Sequence, residues 1–178
     1  LWGVRPDGFD GRFRFKKLPE KDVPSNPWEL LNQNLGQDVV PAIGDWATVY
    51  WGLHKDVGDH IDYMDQSGRV FRLEIVALLD DSIWQGGLLI SEKQFLRRFE
   101  GSSGWNVFLI DAPVESLPSF SETLTRSLSA YGLEVRTTAE RLAGFHEVQN
   151  TYIRIFMVRG AMGLVLGMMA TSAALAAS

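Results

Sequence analysis

The sequence predicts an α+β protein: a mixed sheet with packed helices, then a long C-terminal stalk helix that continues into a transmembrane segment. Three observations carry this. Residues Val70–Leu79 begin by alternating apolar and charged side chains behind a turn, the period of a half-buried strand. Three boxes of the form Ser/Thr-x-x-Glu/Gln, at Ser91, Ser119 and Thr137, open runs of helical spacing. Finally, Gly160 through Ser178 carries no ionisable side chain. The 178 residues are 46% hydrophobic and 22% charged, which allows a compact core and excludes global disorder.

Residues 1–45 hold five of the seven prolines and read as an irregular segment. Within it, Arg12–Lys16 alternates basic and aromatic residues as an edge strand, and Trp28–Leu31 forms one helical turn behind Asn26-Pro27. The α+β domain then spans 46–137. Ala47–Trp51 is rich in strand formers and is expected to be a strand. Ile61–Met64 and Val70–Leu79 are two strands joined by the turn Asp65-Gln66-Ser67-Gly68. In the second, Phe71, Leu73, Ile75, Ala77 and Leu79 share one face, and Val76 and Leu78 make its later half apolar on both.

Leu88–Ile90 is a short strand, after which Ser91 and Gln94 open a helix with Phe95, Leu96 and Phe99 inward. Val107–Ile110 is expected as a core strand. Ser119 and Glu122 open the next helix, where Phe120, Leu124, Leu128 and Tyr131 line one face and Gly132 ends it. Leu133–Arg136 returns as a strand.

Thr137 with Glu140 starts the last helix, and residues 138–178 form the stalk and a truncated transmembrane helix. Leu142, Phe145, Val148, Tyr152 and Ile155 keep helical spacing into the uncharged run, with no proline between. Together with Ile155–Val158 that run meets the length of about 20 apolar residues that a bilayer requires. Arg159, near the helix entrance, can snorkel to the headgroups. Gly160, Gly163 and Gly167 would each weaken a soluble helix by about 1 kcal/mol relative to alanine, whereas Gly163-x-x-x-Gly167 suits close helix packing in lipid. Leu1 is not an initiator methionine and nothing basic follows Ser178, so both ends are read as cut.

Composition excludes some chemistry. The formal net charge of −5 gives no electrostatic reason to bind phosphate backbones, so no nucleic acid is expected as partner. The absence of cysteine removes disulfides, thiolate metal sites and thiol nucleophiles. The densest set of catalytic residue types is His54, Asp56, Asp59, His60, Asp62 and Asp65. It could hold a divalent metal, but its spacing puts the ligands on a turn and a strand instead of one helix face, so a solvated acidic stretch is the simpler reading. Ser82, Ser91 or Ser103 with His146 would supply serine chemistry, yet none sits in a nucleophile-elbow pattern. Gly86-Gly87 and Gly101-Ser-Ser-Gly104 lack the Lys-Ser/Thr of a phosphate loop. Trp51, Trp84 and Trp105 read as packing residues. No catalytic residue, metal or cofactor is expected.

The order of several short strings resembles a known family. These are Val40-Pro-Ala-Ile43, Asp45-x-Ala-Thr-Val-Tyr-Trp-Gly-Leu53, Val57-Gly-Asp59, Phe71-Arg-Leu-x-Ile-Val76, Gln85-Gly-x-Leu-Leu-Ile-Ser-Glu92, Phe108-Leu-Ile-Asp111-Ala-Pro113 and Leu128-x-x-Tyr-Gly-Leu133. Ala139-Glu-Arg-Leu142, Val148-Gln-Asn-Thr-Tyr152 and Gly160-x-x-Gly-Leu-x-Leu-Gly167 complete the set. From about Asn26 to Gly167 the chain resembles the extracytoplasmic domain and following membrane helix of FtsX-like, MacB-type ABC transporter permeases. It departs from that pattern at Arg159, after Gly167 and in residues 1–25.

The resemblance implies a non-catalytic part of an export permease in the bacterial inner membrane, its domain on the periplasmic side. The implied partners are a separate ABC ATPase subunit and a second permease copy or paralogue. Gln149, Asn150 and Tyr152 are implied as junction residues of the coupling stalk. Two other readings stand beside it: a membrane-anchored metal-dependent hydrolase using His54, Asp56, Asp59 and His60, and an anchored binding module.

Overall fold

The computed structural model describes residues 1–36, 38–102, 104–145 and 157. The chain divides into two units, Leu1–Phe120 and Ser121–Ser178. In the first, six strands form one mixed sheet: β1 (Trp2–Val4), β2 (Phe15–Lys17), β3 (Val39–Asp45), β4 (His60–Met64), β5 (Val70–Leu79) and β6 (Leu88–Ser91). Their order is β1-β6-β3-β5-β2, and β4 also pairs with β5. The pairs β3/β5 and β1/β6 are parallel; β3/β6, β2/β5 and β4/β5 are antiparallel. Strands β4 and β2 share the outer edge of β5, the first against Val70–Glu74 and the second against Leu78 and Leu79.

The expected hairpin is present with its turn at Asp65–Gly68, where Asp65 Oδ1 accepts the amides of Ser67 and Arg69, and Gly68 has φ +80°. Only glycine adopts that conformation without strain. The second hairpin strand spans Val70–Leu79 as expected, but its alternation is interrupted. Ala42 faces Ile75 while the next residue, Ile43, faces Ala77, so Val76 is the extra residue of a bulge. Leu78 therefore joins Phe71, Leu73 and Ile75 in one cluster with Val40, Ala42, Val49, Leu88 and Ile90. Ala77 and Leu79, expected on that face, fall outside this cluster and are fully buried elsewhere.

Helix α1 (Glu92–Arg98) follows β6 and packs against β1, with Phe95 and Phe99 stacked against the cluster. Ser91 is its N-cap residue but makes no side-chain capping bond, and Leu96 points to solvent instead of inward. Ile43 and Leu89, one residue out of step with the cluster members around them, are fully buried too. A 3₁₀ turn at Pro27–Asn32 packs against β3, β5 and β6 and buries Trp28, Leu30 and Leu31. Asn26 caps it by accepting the Trp28 amide. Phe9, Phe13 and Phe15 ring Trp28 at centroid distances of 4.7, 5.6 and 5.5 Å. Strands β3 and β6 and the later half of β5 are thus buried on both sides, and three strands of the sheet come from the first 45 residues.

Four expected elements are corrected. Ala47–Trp51 is not a strand: residues Ala47–Gly52 form a π-helix, closed by the Leu53 amide donating to the Thr48 carbonyl. Trp46, Val49 and Tyr50 have helical spacing, and Asp45 Oδ1 accepts the Ala47 amide, so capping and the burial of Val49 override β propensity. The edge strand begins at Phe15 and not at Arg12, because Phe13 has φ +65°. Val107–Ile110 is exposed and pairs with no strand, since β4 and β2 already fill the outer edge of β5 and β1 that of β6. Leu133–Arg136 forms no strand either; it is a short connection in which Glu134 pairs with Arg136.

Helix α2 (Leu117–Leu128) begins two residues before the Ser119 box, so Ser119 lies inside it and its hydroxyl donates to the Ser116 carbonyl. A 3₁₀ turn at Ser129–Tyr131 ends at Gly132, φ +75°, the expected left-handed stop. A last helical stretch covers 138–145. Among the described residues no helix is long and apolar enough to cross a membrane. The expected transmembrane run, Gly160–Ser178, lies outside them.

Gly44, where β3 nears its end, tests how tightly the two sides are joined. A Cβ added there would stand 2.4 Å from Val49 Cγ2 and 2.8 Å from Leu88 Cδ2. We expect Gly44→Ala to destabilise the protein by about 1–3 kcal/mol through overpacking, measured by urea unfolding. An unchanged midpoint would show that the π-helix moves freely against the sheet.

Candidate functional site

The three stalk residues singled out from the sequence, Gln149, Asn150 and Tyr152, lie outside the described residues. The start of their helix is described. The Thr137 amide donates to Glu140 Oε2 at 2.9 Å, and the Glu140 amide donates to Thr137 Oγ1 at 3.2 Å. This reciprocal capping box satisfies two backbone donors and fixes where the helix begins. These bonds, the Thr137 amide foremost, hold the Glu140 carboxyl below its usual range.

The His/Asp stretch is dispersed by local bonding. His54 has φ +53° just after the π-helix. Asp56 is ion-paired to Lys17, which is the main cause of its lowered pKa. Asp59, exposed, accepts the Asp56 amide at 2.8 Å, and its own carbonyl accepts the Ile75 amide, extending the sheet ladder. His60 Nε2 lies 3.3 Å from Glu74 Oε2 across the β4–β5 pair, and Asp62 lies 3.6 Å from Arg72 Nε. Among the described residues no three His, Asp or Glu side chains are grouped as metal ligands would be.

Of the serines, Ser103 and its suggested partner His146 lie outside the described residues. Ser91 is buried at the end of β6. Ser82 is buried as well, and its hydroxyl donates to Asp45 Oδ2 at 2.9 Å while its amide donates to the same oxygen at 2.7 Å. Asp45 is fully buried, with its other oxygen on the Ala47 amide. The pair is a brace between the end of β3 and the loop after β5. A Thr48 hydroxyl accepting the Gly86 amide at 2.8 Å adds a second tie.

That brace presents an aromatic ledge, hidden in the sequence by the strand-forming composition of Ala47–Trp51. Trp46 and Tyr50 stack at 5.4 Å with planes 12° apart, and Trp51 stands edge-on to both. Trp51 is 63% exposed, so it is a surface residue, whereas Trp84 is buried among Trp2, Phe9 and Phe13. Trp105 is also exposed, with the Arg5 guanidinium 4.5 Å above its ring. Next to it, Val107, Phe108, Leu109 and Ile110 form an exposed apolar strip tethered by the Arg12–Asp111 ion pair. No protein-family model, curated protein or solved structure matches the chain.

Asp65 supplies a pH test of the hairpin. Its carboxylate accepts the amides of Arg69 and Ser67 and the Arg69 Nε–H, and these bonds, the Arg69 amide first, hold its pKa below the usual value. A carboxyl lowered on folding contributes stability that is fully present above the ordinary Asp pKa of about 3.9 and is lost as pH falls through the folded value. Asp65→Asn should therefore be less stable at neutral pH and lose less stability than the parent below about pH 4 in urea unfolding across a pH series. Equal slopes for the two proteins would show that this carboxylate does not report on the turn.

Proposed function

We propose that the chain is the extracytoplasmic part of an FtsX-like ABC export permease in the bacterial inner membrane. It acts with a separate ABC ATPase subunit and a second permease copy or paralogue, coupling ATP hydrolysis to substrate export or to mechanical signalling across the membrane. In this reading the chain makes and breaks no covalent bond; it carries motion from the domain to the membrane through the stalk helix.

The observation that carries the reading is the Thr137/Glu140 capping box. A helix that transmits motion needs a defined beginning, because a frayed first turn absorbs displacement before passing it on. The sequence beyond it keeps apolar residues at helical spacing to Ile155 and then loses all ionisable groups after Arg159. The mixed sheet, whose central strands are buried on both sides and tied by the Asp45–Ser82 brace, is the kind of body that a rigid-body transition requires. The metal-hydrolase reading gains no support from His54, Asp56, Asp59 and His60, which are spread over a turn and a strand, with Asp56 paired to Lys17, Asp59 bonded to the Asp56 amide and His60 beside Glu74.

Gln149→Pro tests the coupling role. Proline removes one backbone donor and clashes with the preceding turn, costing a helix about 3 kcal/mol and bending it. In the permease assembled with its ATPase in proteoliposomes, we expect ATP hydrolysis to continue while export falls, with a Gln149→Ala control retaining both. Export kept in step with hydrolysis in the proline variant would refute the stalk.

A further inference from the structure

A cleft of about 350 Å³ opens between the β4–β5 turn and the end of α1, lined by Arg69, Arg97 and Arg98 together with Gln66, Ser67 and Glu100. Two bonds hold its walls together. The Gln66 amide donates to the Arg98 carbonyl at 3.3 Å, and the Gly101 amide donates to Gln66 Oε1 at 3.0 Å.

The guanidinia are not equivalent. Arg98 is fixed, donating to Gln94 Oε1 at 2.6 Å and stacked 4.7 Å above the Phe71 ring, a residue of the core cluster. Arg69 is held through Nε by Asp65 at 2.9 Å, an arrangement that leaves the two terminal nitrogens of its fork uncommitted to that bond. Arg97 is exposed and makes no ion pair with another described residue. Asp65 and Glu100 stand against these guanidinia and Asp38 also acts on Arg98, so three carboxylates face the three cations in formal charge. Burial first, and then repulsion from Arg97, lowers the pKa of Arg98.

From this geometry we infer that the cleft is a binding site for a phosphate group, carried by a soluble phosphate compound or by a lipid headgroup. Planar guanidinium forks match phosphate oxygens two at a time, and two of the forks here are already immobilised, which reduces the ordering cost of binding. A phosphate group would accept from Arg97 and from the terminal nitrogens of Arg69, and so offset the repulsion of Arg98 by Arg97. The inference stands on the cleft alone and does not depend on the permease reading.

The test uses the full chain. Inorganic phosphate is titrated at constant ionic strength against a chloride control, following hydrogen exchange and calorimetry. We expect saturable binding that protects amides in 66–69 and 97–101, weakened about tenfold or more in Arg97→Gln and in Arg69→Gln. In a second arm the chain is mixed with vesicles of phosphatidylcholine with or without phosphatidic acid. Protection by inorganic phosphate assigns a soluble source, and protection by phosphatidic acid alone assigns the lipid; either upholds the site. Arg97 is exposed and outside the core, so its variant should fold, which circular dichroism checks. No saturable response in either arm, or one that both variants leave unaltered, overturns the inference.

Discussion

A fully buried carboxylate organises the centre of this molecule. Asp45 is the last residue of β3, and its two oxygens accept three donors: the Ala47 amide, the Ser82 amide and the Ser82 hydroxyl. Burying an anion is expensive unless its lone pairs are filled, and here the fillers come from two separate segments. One bond starts the π-helix, and two bind the loop leaving β5. The position of β6 follows, because that loop feeds it and β6 pairs with β3 at Ile43 and Gly44 immediately before the carboxylate. Removing Asp45 would leave orphaned donors in the core on both sides at once.

The π-helix shows what the brace makes possible. Its inward residue, Val49, is fully buried against a Gly44 that has no side chain to oppose it. Its outward residues, Tyr50 and Trp51, remain substantially exposed yet are held by each other and by Trp46. Large aromatic side chains normally lose exposure when they gain order. Here the order comes from a helix pinned below them, so the rings stay both rigid and accessible.

The sequence was most legible where one signal acted alone. Val70–Leu79 gave its ends through a glycine turn and a run of alternation, and Thr137/Glu140 gave a helix start through side chains that satisfy their own backbone. It misled where two signals competed. Ala47–Trp51 has strand-forming residues at helical spacing, and a buried cap decided the contest from outside the window. Val39–Asp45 was hidden by Pro41, a poor residue for a central strand. The β3–β6 ladder includes only Ile43 and Gly44, so Pro41 lies where β3 is paired on one side alone. The bulge at Val76 could not be seen either, since it exists only in the register between two strands. The arginine cleft was equally hidden: Arg69 and Arg97 are far apart in sequence and are brought together by the Gln66 contacts and by Arg98 stacking on Phe71.

Exposed ion pairs have little part in holding this fold. Ion pairs such as Arg12–Asp111, Arg72–Asp62 and Arg126–Glu122 are exposed on both sides and belong to the class that contributes about 0–1 kcal/mol each. Stability rests on the two-sided sheet and its brace, which means most surface charges could be rearranged without unfolding the protein. The three arginines of the cleft differ because one is stacked on the core and a second is locked to the turn. Their positions are set by the same contacts that set the hairpin and α1, so the positive charge persists as long as the domain stays folded. Long flexible side chains would ordinarily spread apart to relieve repulsion; here two of the three are prevented from doing so by packing and by a carboxylate. Because two of the guanidinia are already held, an anion entering the cleft would meet donors in place, with little ordering left to do.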